Sequence, residues 1–328
     1  MDPPAPPFVS RHIRWEGLLE AGLFVGLAGS WLGLLGSWHW LLDLCSHFRW
    51  QGIMVCLAAL AWAGWRRRRW VLRAALLTLG LNGWLLVRPG GPDPTGNARP
   101  EFNVRVVSFN LLTTNQNHAA VLSWLQQSEG DVIFLMEVDH LWAQALQPLL
   151  KTHPHHLIQP ASDNFGLALY SRWPAEQLRI LSGRDLGLRE GRGLAITDSM
   201  GARFRTAGRE WLFIGTHPVP PMGAFFADSR DCQLQALSGY LAGCGLPVLI
   251  AGDLNASPWS HGFRQLTSHP LLQTAPGAWR PTWRAPSLFA VPIDHALCVP
   301  PLFFKQRTIG PELGSDHRPQ VLELGWRE

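Results

Sequence analysis

The chain has 328 residues, 47% of them hydrophobic and only 16% charged. That balance excludes a disordered or fibrous chain, and a charge content well under the ~25% of soluble domains points to membrane segments. The net charge of +4 is uneven: ten arginines and five acidic residues fall in positions 1–99, which leaves positions 100–328 slightly negative and argues against a dedicated nucleic-acid binder.

Ala21–Leu42 is an uncharged apolar run, long enough to cross a bilayer as a helix. Trp50–Trp65 is a second run, shorter, and Trp70–Val87 a third, interrupted only by Arg73 near its end. The sequence thus predicts an N-terminal membrane region over 1–88 with helices near 21–42, 50–65 and 70–87. The second and third runs could also form a hairpin or lie partly in the interface. A signal peptide is the rival reading of the first run, but two more runs follow and no small-residue cleavage site stands after Leu42. Arg66 to Arg69 with Arg73 separate the second and third runs, and Arg11 and Arg14 precede the first. The positive-inside rule puts those arginines and the N-terminus in the cytoplasm, and three crossings leave the rest of the chain on the periplasmic or extracellular side. Positions 89–101, rich in Pro and Gly, read as a linker. The five cysteines show no metal-binding spacing and read as small buried side chains.

From 102 to 328 short apolar runs alternate with turns. Strands are expected over Val104–Phe109, Asp131–Met136, Gly166–Tyr170, Trp211–Gly215, Pro247–Ala251, Val291–Ile293 and Gln320–Leu324. A helix capped by Asn117 should present Ala120, Val121, Trp124 and Leu125, and another should cover Asp228–Leu241. Asn110, Glu137, His217, Asp253 and Asn255 each stand at or just beyond the end of a strand-like run. Asn and Asp favour turns for local reasons, but Glu and His do not. Five such ends suggest polar groups converging on one edge of a sheet.

These segments resemble the endonuclease/exonuclease/phosphatase superfamily. The resemblance is carried by SFN (Ser108–Asn110), MEV (Met136–Val138), GLALYSRWP (Gly166–Pro174), THP (Thr216–Pro218), GDLN (Gly252–Asn255), IDH (Ile293–His295) and SDHRP (Ser315–Pro319), in the family order. Met136 stands where Gln is common and Leu254 where Phe is common. The resemblance implies an α/β fold, a four-layer αββα sandwich of two mixed β-sheets. It also implies a metal-dependent hydrolase acting on phosphate ester bonds.

By the same resemblance, Glu137 is the principal metal ligand, with Asn110 beside it and Asp316 as a further ligand, direct or through water. An oxygen set suits Mg²⁺, with Mn²⁺ as an alternative. His317 is the general base, oriented by Asp294. Asp253 and Asn255 position the water and hold a phosphoryl oxygen, and His217 donates to the phosphate. In some members the residue matching Asp253 is the base instead. His295, next to Asp294, is expected on the opposite face and structural. The arginines from Arg184 to Arg209 read either as a rim for a second anionic group or as a solvated hairpin of mixed charge. The favoured function is a membrane-anchored Mg²⁺-dependent phosphoesterase of the inner or cell membrane, acting on an envelope or lipid-linked phosphate mono- or diester. The alternative is an extracytoplasmic nuclease acting on DNA or RNA. A catalytically dead scaffold is disfavoured because the polar set is intact, and a transporter because only Glu20, His39 and Asp43 lie in or near the apolar runs.

Overall fold

The computed structural model describes residues 15–87, 102–188 and 193–327. The linker expected at 89–101 lies outside the described residues, as do Arg11, Arg14, Arg189 and Arg192. The N-terminal part is helical: α1 (Trp15–Leu32), α2 (Trp40–Ser46), α3 (Arg49–Arg66) and α4 (Arg69–Val87). The second and third apolar runs match α3 and α4. The first does not form one helix. After α1 a single turn of 3-10 helix covers Gly33–Leu35, and the chain restarts at α2, where the His39 side chain accepts from the Leu41 N–H. Glycines at 33 and 36 favour the break, and a polar cap at 39 favours the new start. The span consistent with a membrane crossing is therefore Trp15–Leu35. Arg69–Val87 is a second, and the pair α2 and α3, bent by 71°, would make a third.

The helices pack with small residues inside and large apolar ones outside. Gly52, Cys56, Ala59 and Ala63 of α3 face Val71, Ala75, Thr78 and Asn82 of α4, with Leu23, Leu27 and Ser30 of α1. Phe24, Val25, Leu57, Leu76, Leu77 and Trp84 are exposed. Small residues let helices approach closely, and an apolar exterior suits lipid rather than water. Arg66 pairs with Glu16 and Arg68 with Glu20 at one end of this bundle. The other end meets the remainder of the chain.

That remainder comprises β1 (Val104–Asn110), α5 (His118–Gln127), β2 (Val132–Met136), α6 (His140–Ala145), β3 (His155–Gln159), β4 (Leu167–Ser171), β5 (Arg179–Leu181), β6 (Ser199–Thr206), β7 (Arg209–Thr216), α7 (Ala224–Cys244), β8 (Val248–Asp253), α8 (His261–Leu266), β9 (Gln273–Thr274), β10 (Asp294–Cys298), β11 (Leu302–Ile309) and β12 (Gln320–Trp326). One sheet has the order β11-β12-β1-β2-β4-β3 and the other β5-β6-β7-β8-β10-β9. Each is mixed, with a parallel pair at its centre: β1 with β2, and β7 with β8. Alternation along the strands sends Val104, Val106, Phe134, Phe213, Leu249 and Leu324 into the core between the sheets. The opposite faces are covered by α5 and α6 on the first sheet and by α7 and α8 on the second. This is the four-layer sandwich that the resemblance implied.

Two local expectations change. Ala120 is exposed, so the buried face of α5 rests on Val121 and Leu125. The strand expected over Val291–Ile293 begins instead at Asp294, because Pro292 has no N–H to give to a ladder; Val291 makes only an isolated bridge to Trp283.

Candidate active site

The parallel pairs explain where the polar groups gather. β1 and β2 end side by side, as do β7 and β8, and the ends of both pairs meet at one edge of the sandwich. Asn110 closes β1, Glu137 follows β2, His217 follows β7 and Asp253 closes β8. Asp294 opens β10 directly opposite Asp253 in the antiparallel register. Asp316 and His317 come from the turn before β12. Backbone geometry is specialised here: φ is positive at Glu137 (57°) and Asn255 (48°). Such values are costly for residues other than Gly and persist where the surroundings hold them. At Gly252 only glycine fits, since a Cβ would lie 1.9 Å from the Thr216 carbonyl oxygen.

The side chains form one unbroken chain of contacts. Asn110 Nδ2 donates to Glu137 Oε1 at 2.9 Å and to Asp253 Oδ2 at 3.2 Å. Asp253 Oδ2 lies 3.5 Å from both His217 Nε2 and His317 Nε2. His317 Nδ1 is 2.9 Å from Asp294 Oδ2, and its Nε2 is 3.9 Å from Asp316 Oδ1. The Asn255 N–H donates to Asp253 Oδ1 at 2.9 Å. Every candidate residue from the sequence lies in this constellation, Asn255 through its backbone N–H alone, since its side-chain amide donates to the Pro218 carbonyl rather than facing the site residues.

Its electrostatics follow from burial and charge. Burial opposes a charged imidazole at His317, but Asp294 and then Asp253 outweigh it and raise the pKa to about 10. Burial likewise opposes ionisation of Asp253, but His317 and His217 hold its pKa down to about 2. Each of the two favours the charged form of the other, with Asp294 on the far side of the ring. His295 behaves differently. It points away, under Phe263, with Nε2 shared between the carbonyls of Ala256 (2.9 Å) and Pro292 (3.1 Å), and burial followed by Arg307 lowers its pKa to about 3. It is a neutral structural histidine, as its place next to Asp294 implied.

Two groupings could hold a divalent ion. Asp253, Asp294 and His317 offer ligand atoms within 4.8 Å of one another. Those atoms are already committed to an Asp–His–Asp arrangement, which fits an oriented imidazole better than a hard cation. The oxygen set fits a hard cation better. Glu137 is buried, its Oε2 accepting from the Thr113 N–H at 3.2 Å. Asp316 is fixed through Oδ2 by Trp283 Nε1 at 2.8 Å, while its buried Oδ1 makes no hydrogen bond. Asn110 differs from expectation in one respect. Its amide nitrogen faces the carboxylates, and its oxygen accepts from the Leu112 N–H at 3.1 Å. A ligand role needs the amide turned the other way; as placed, Asn110 joins Glu137 to Asp253.

The family model for the Endonuclease/Exonuclease/phosphatase family matches residues 102–317. The chain belongs to this family. Endonuclease/exonuclease/phosphatase enzymes are metal-dependent hydrolases of phosphate esters, and the chain is one of them. Solved structures agree on the fold. A Bacteroides vulgatus endonuclease/exonuclease/phosphatase aligns with a TM-score of 0.57 at 18% identity, covering 69% of this chain and all of that one. D. rerio TDP2, complexed with a single-strand DNA product, gives a TM-score of 0.55 at 14% identity over 68% of this chain and 98% of its own. The Bacteroides thetaiotaomicron mannosyl-6-phosphatase Bt3783 gives 0.52 at 16% over 67% and 99%. No curated protein matches in sequence.

Sequence reasoning missed several supports of this endonuclease/exonuclease/phosphatase site. Thr113 holds Glu137, Trp283 holds Asp316, and Thr282 Oγ1 accepts from the Asp294 N–H at 3.2 Å. Ser315 Oγ donates to the Asn110 carbonyl at 2.7 Å and accepts from the His317 N–H at 3.0 Å. Its place in SDH was the available signal. Met136, which stands where Gln is common, accepts from the Asp253 N–H through Sδ at 3.1 Å. Arg203 and Arg205 of β6 are paired with Glu210 of β7 and with Glu176, which precedes β5, so these two arginines sit among carboxylates as a mixed-charge hairpin requires.

Proposed function

We propose that the protein is a membrane-anchored, Mg²⁺-dependent phosphoesterase whose substrate is a phosphate ester carried at the membrane surface. The observation that carries the chemistry is the continuous contact chain Glu137–Asn110–Asp253–His317–Asp294, with His217, Asn255 and Asp316 joined to it. Glu137 and Asp316 would hold the cation, with Asn110 beside them. A bound divalent cation would supply positive charge to neutralise a phosphoryl oxygen and to oppose protonation of the nearby imidazole. His317 takes the proton of the attacking water as its oxygen bonds to phosphorus and the bond to the ester oxygen breaks, and the proton is then available to the departing oxygen; Asp294 fixes the ring through Nδ1. Asp253 and Asn255 align that water. His217, whose Nδ1 is buried without a hydrogen bond, directs Nε2 at the site and donates to the phosphoryl oxygen as negative charge builds in the transition state.

Support for a membrane-borne substrate comes from the two loops that carry site residues. The segment after His217 runs into exposed Met222, Phe225 and Phe226, and the segment around Trp283 carries exposed Leu288 and Phe289. The second segment also touches the helical bundle, through Gln51 Nε2 to the carbonyls of Leu288 (3.0 Å) and Ala290 (2.9 Å). Apolar side chains beside the site and next to apolar helices suit a site that opens at a bilayer surface. The bundle ends agree with the topology expected from the arginines: Arg66 and Arg68 lie at the end away from the hydrolase domain. In this reading the domain stands on the periplasmic or extracellular side of the inner or cell membrane. The nuclease reading has one observation in its favour, the fold shared with a DNA-bound TDP2.

The test is hydrolysis by full-length protein in detergent, offered phospholipids, small phosphomonoesters, RNA and supercoiled DNA, with Mg²⁺ or with EDTA, beside His317→Ala. Release from lipid or small phosphates that needs both Mg²⁺ and His317 is the expected result. DNA nicking with the same requirements moves the assignment to nuclease. Activity unchanged in His317→Ala refutes the catalytic assignment for any substrate.

A further inference from the structure

We infer that the membrane region supplies positioning residues to the active site, Asp43 first among them, so that the helices are a working part of the hydrolase rather than a tether. The inference rests on the reading of Asp253 and Asn255 as members of the phosphoester site. Asp43 lies in α2, within the apolar N-terminal part, yet both of its carboxylate oxygens are committed to the hydrolase domain. Oδ2 accepts from Arg230 Nη2 at 2.8 Å and Oδ1 accepts from the His261 N–H at 2.6 Å. Asp43 is 3% exposed and Arg230 not at all.

Arg230, on α7, does not stop at that pair. Its Nε donates to Asp231 Oδ1 at 2.8 Å, and its Nη1 donates to the backbone carbonyl of Asn255 at 2.9 Å. Asn255 is one of the positive-φ residues, and its own N–H holds Asp253 Oδ1 at 2.9 Å. Its side-chain amide donates to the Pro218 carbonyl at 2.9 Å, the residue after His217. One guanidinium thus links a carboxylate of the membrane region to the loop that aims Asp253 and borders His217. A strained backbone stays in place only where neighbours over-determine it. Without Asp43, Arg230 keeps one carboxylate partner, Asp231, and is pulled toward it, away from the Asn255 carbonyl. Packing around Asp43 is close: a Cβ on Gly36 would lie 2.6 Å from Asp43 Oδ1.

A second arm runs in parallel. Gln51, in the first turn of α3, holds the hairpin bounded by the Trp283–Val291 bridge through the carbonyls of Leu288 and Ala290, and Trp50 Nε1 donates to the carbonyl of Trp279, just ahead of that hairpin, at 3.1 Å. Trp283 bridges His317 and holds Asp316. The membrane region therefore braces both sides of the site, Asp253 through α7 and Asp316 through the hairpin.

The test uses the full chain in detergent. Asp43→Asn removes the charge at constant shape, Asp43→Glu restores it, and Arg230→Lys keeps a charge but loses the fork that reaches Asn255. Hydrogen–deuterium exchange over residues 253–257 is read beside kcat and KM for bis(p-nitrophenyl) phosphate with Mg²⁺. Asp43→Asn and Arg230→Lys are expected to speed exchange there and to lower kcat by roughly tenfold or more with KM nearly constant, since small misplacements at a reacting centre are costly. Asp43→Glu recovers part of both, and Glu20→Gln, at the far end of the bundle, changes neither. Unchanged exchange over 253–257 in both Asp43→Asn and Arg230→Lys overturns the inference. So does faster exchange with wild-type kcat while His317→Ala is inactive, because the contact is then docking alone. Faster exchange in a protein whose wild type cleaves no phosphate ester leaves the bracing in place and removes the phosphoesterase reading instead.

Discussion

Asp294→Asn isolates the contribution of one carboxylate to the reactive imidazole. The substitution keeps the shape of the side chain, and its backbone links remain: the N–H to Thr282 Oγ1 and the carbonyl accepting from Arg307 Nη2 at 3.2 Å. An amide oxygen can still face His317 Nδ1, so the ring keeps a partner. What is lost is the charge that does most to hold the buried imidazole's pKa at about 10. A hydrogen bond to a charged group contributes about 1.5–3 kcal/mol. At about 1.4 kcal/mol per decade, that corresponds to a fall in kcat of roughly ten- to 150-fold. KM should move little, because Asp294 touches His317 rather than substrate. The same loss should appear as a lower thermal midpoint at neutral pH, because the Asp294 charge favours the protonated ring. Steady-state kinetics at saturating Mg²⁺, with unfolding followed in the same detergent, give both numbers. A kcat within about threefold of wild type, with the lower midpoint present, would show that the pair stabilises the fold and takes no part in proton transfer.

Two further outcomes follow from the site. Glu137→Gln should abolish the rise in thermal midpoint that Mg²⁺ or Mn²⁺ gives the wild type, a stabilisation of about 2.7 kcal/mol at a hundred times Kd; an equal rise in both proteins removes Glu137 from the metal site. His295, with its pKa lowered to about 3, is protonated in the unfolded chain before the folded one as pH falls. Stability carried by the neutral ring is therefore whole above about 6.5 and is lost between there and about 3, at up to about 1.4 kcal/mol per pH unit. His295→Gln should flatten that segment of a midpoint-against-pH curve, and parallel curves for the two proteins between pH 6.5 and 4.5 would refute it.

The site was legible where chemistry sits at strand ends. Glu137 and His217 stood out because neither is an ordinary turn residue, and the motif order tied them to Asp253, Asp294 and His317. What escaped the sequence was held by distance or by atom. Hydropathy made one helix of Ala21–Leu42 because it averages composition and does not register a break at Gly33 and Gly36, a cap at His39, or a carboxylate at Asp43 whose partner is Arg230. Trp283 and Thr282 sit in a segment whose only sequence signal is an irregular scatter of Pro, Arg and Trp. Residue type gives no hint that the Met136 sulfur, standing where Gln is common, faces the Asp253 N–H. Residue type alone could not say which way the Asn110 amide turns.

The two sheets touch directly beneath the site. A Cβ on Gly215 would fall 2.4 Å from the Phe134 ring, and Met136 reaches across to Asp253. Glu137 and Asn110 stand on one sheet, His217, Asp253 and Asp294 on the other. The reacting geometry is thus a property of the seam and of neither sheet alone, and it senses sub-ångström play between them. A substitution that shifts one sheet against the other should therefore lower turnover even where each sheet keeps its own hydrogen bonds.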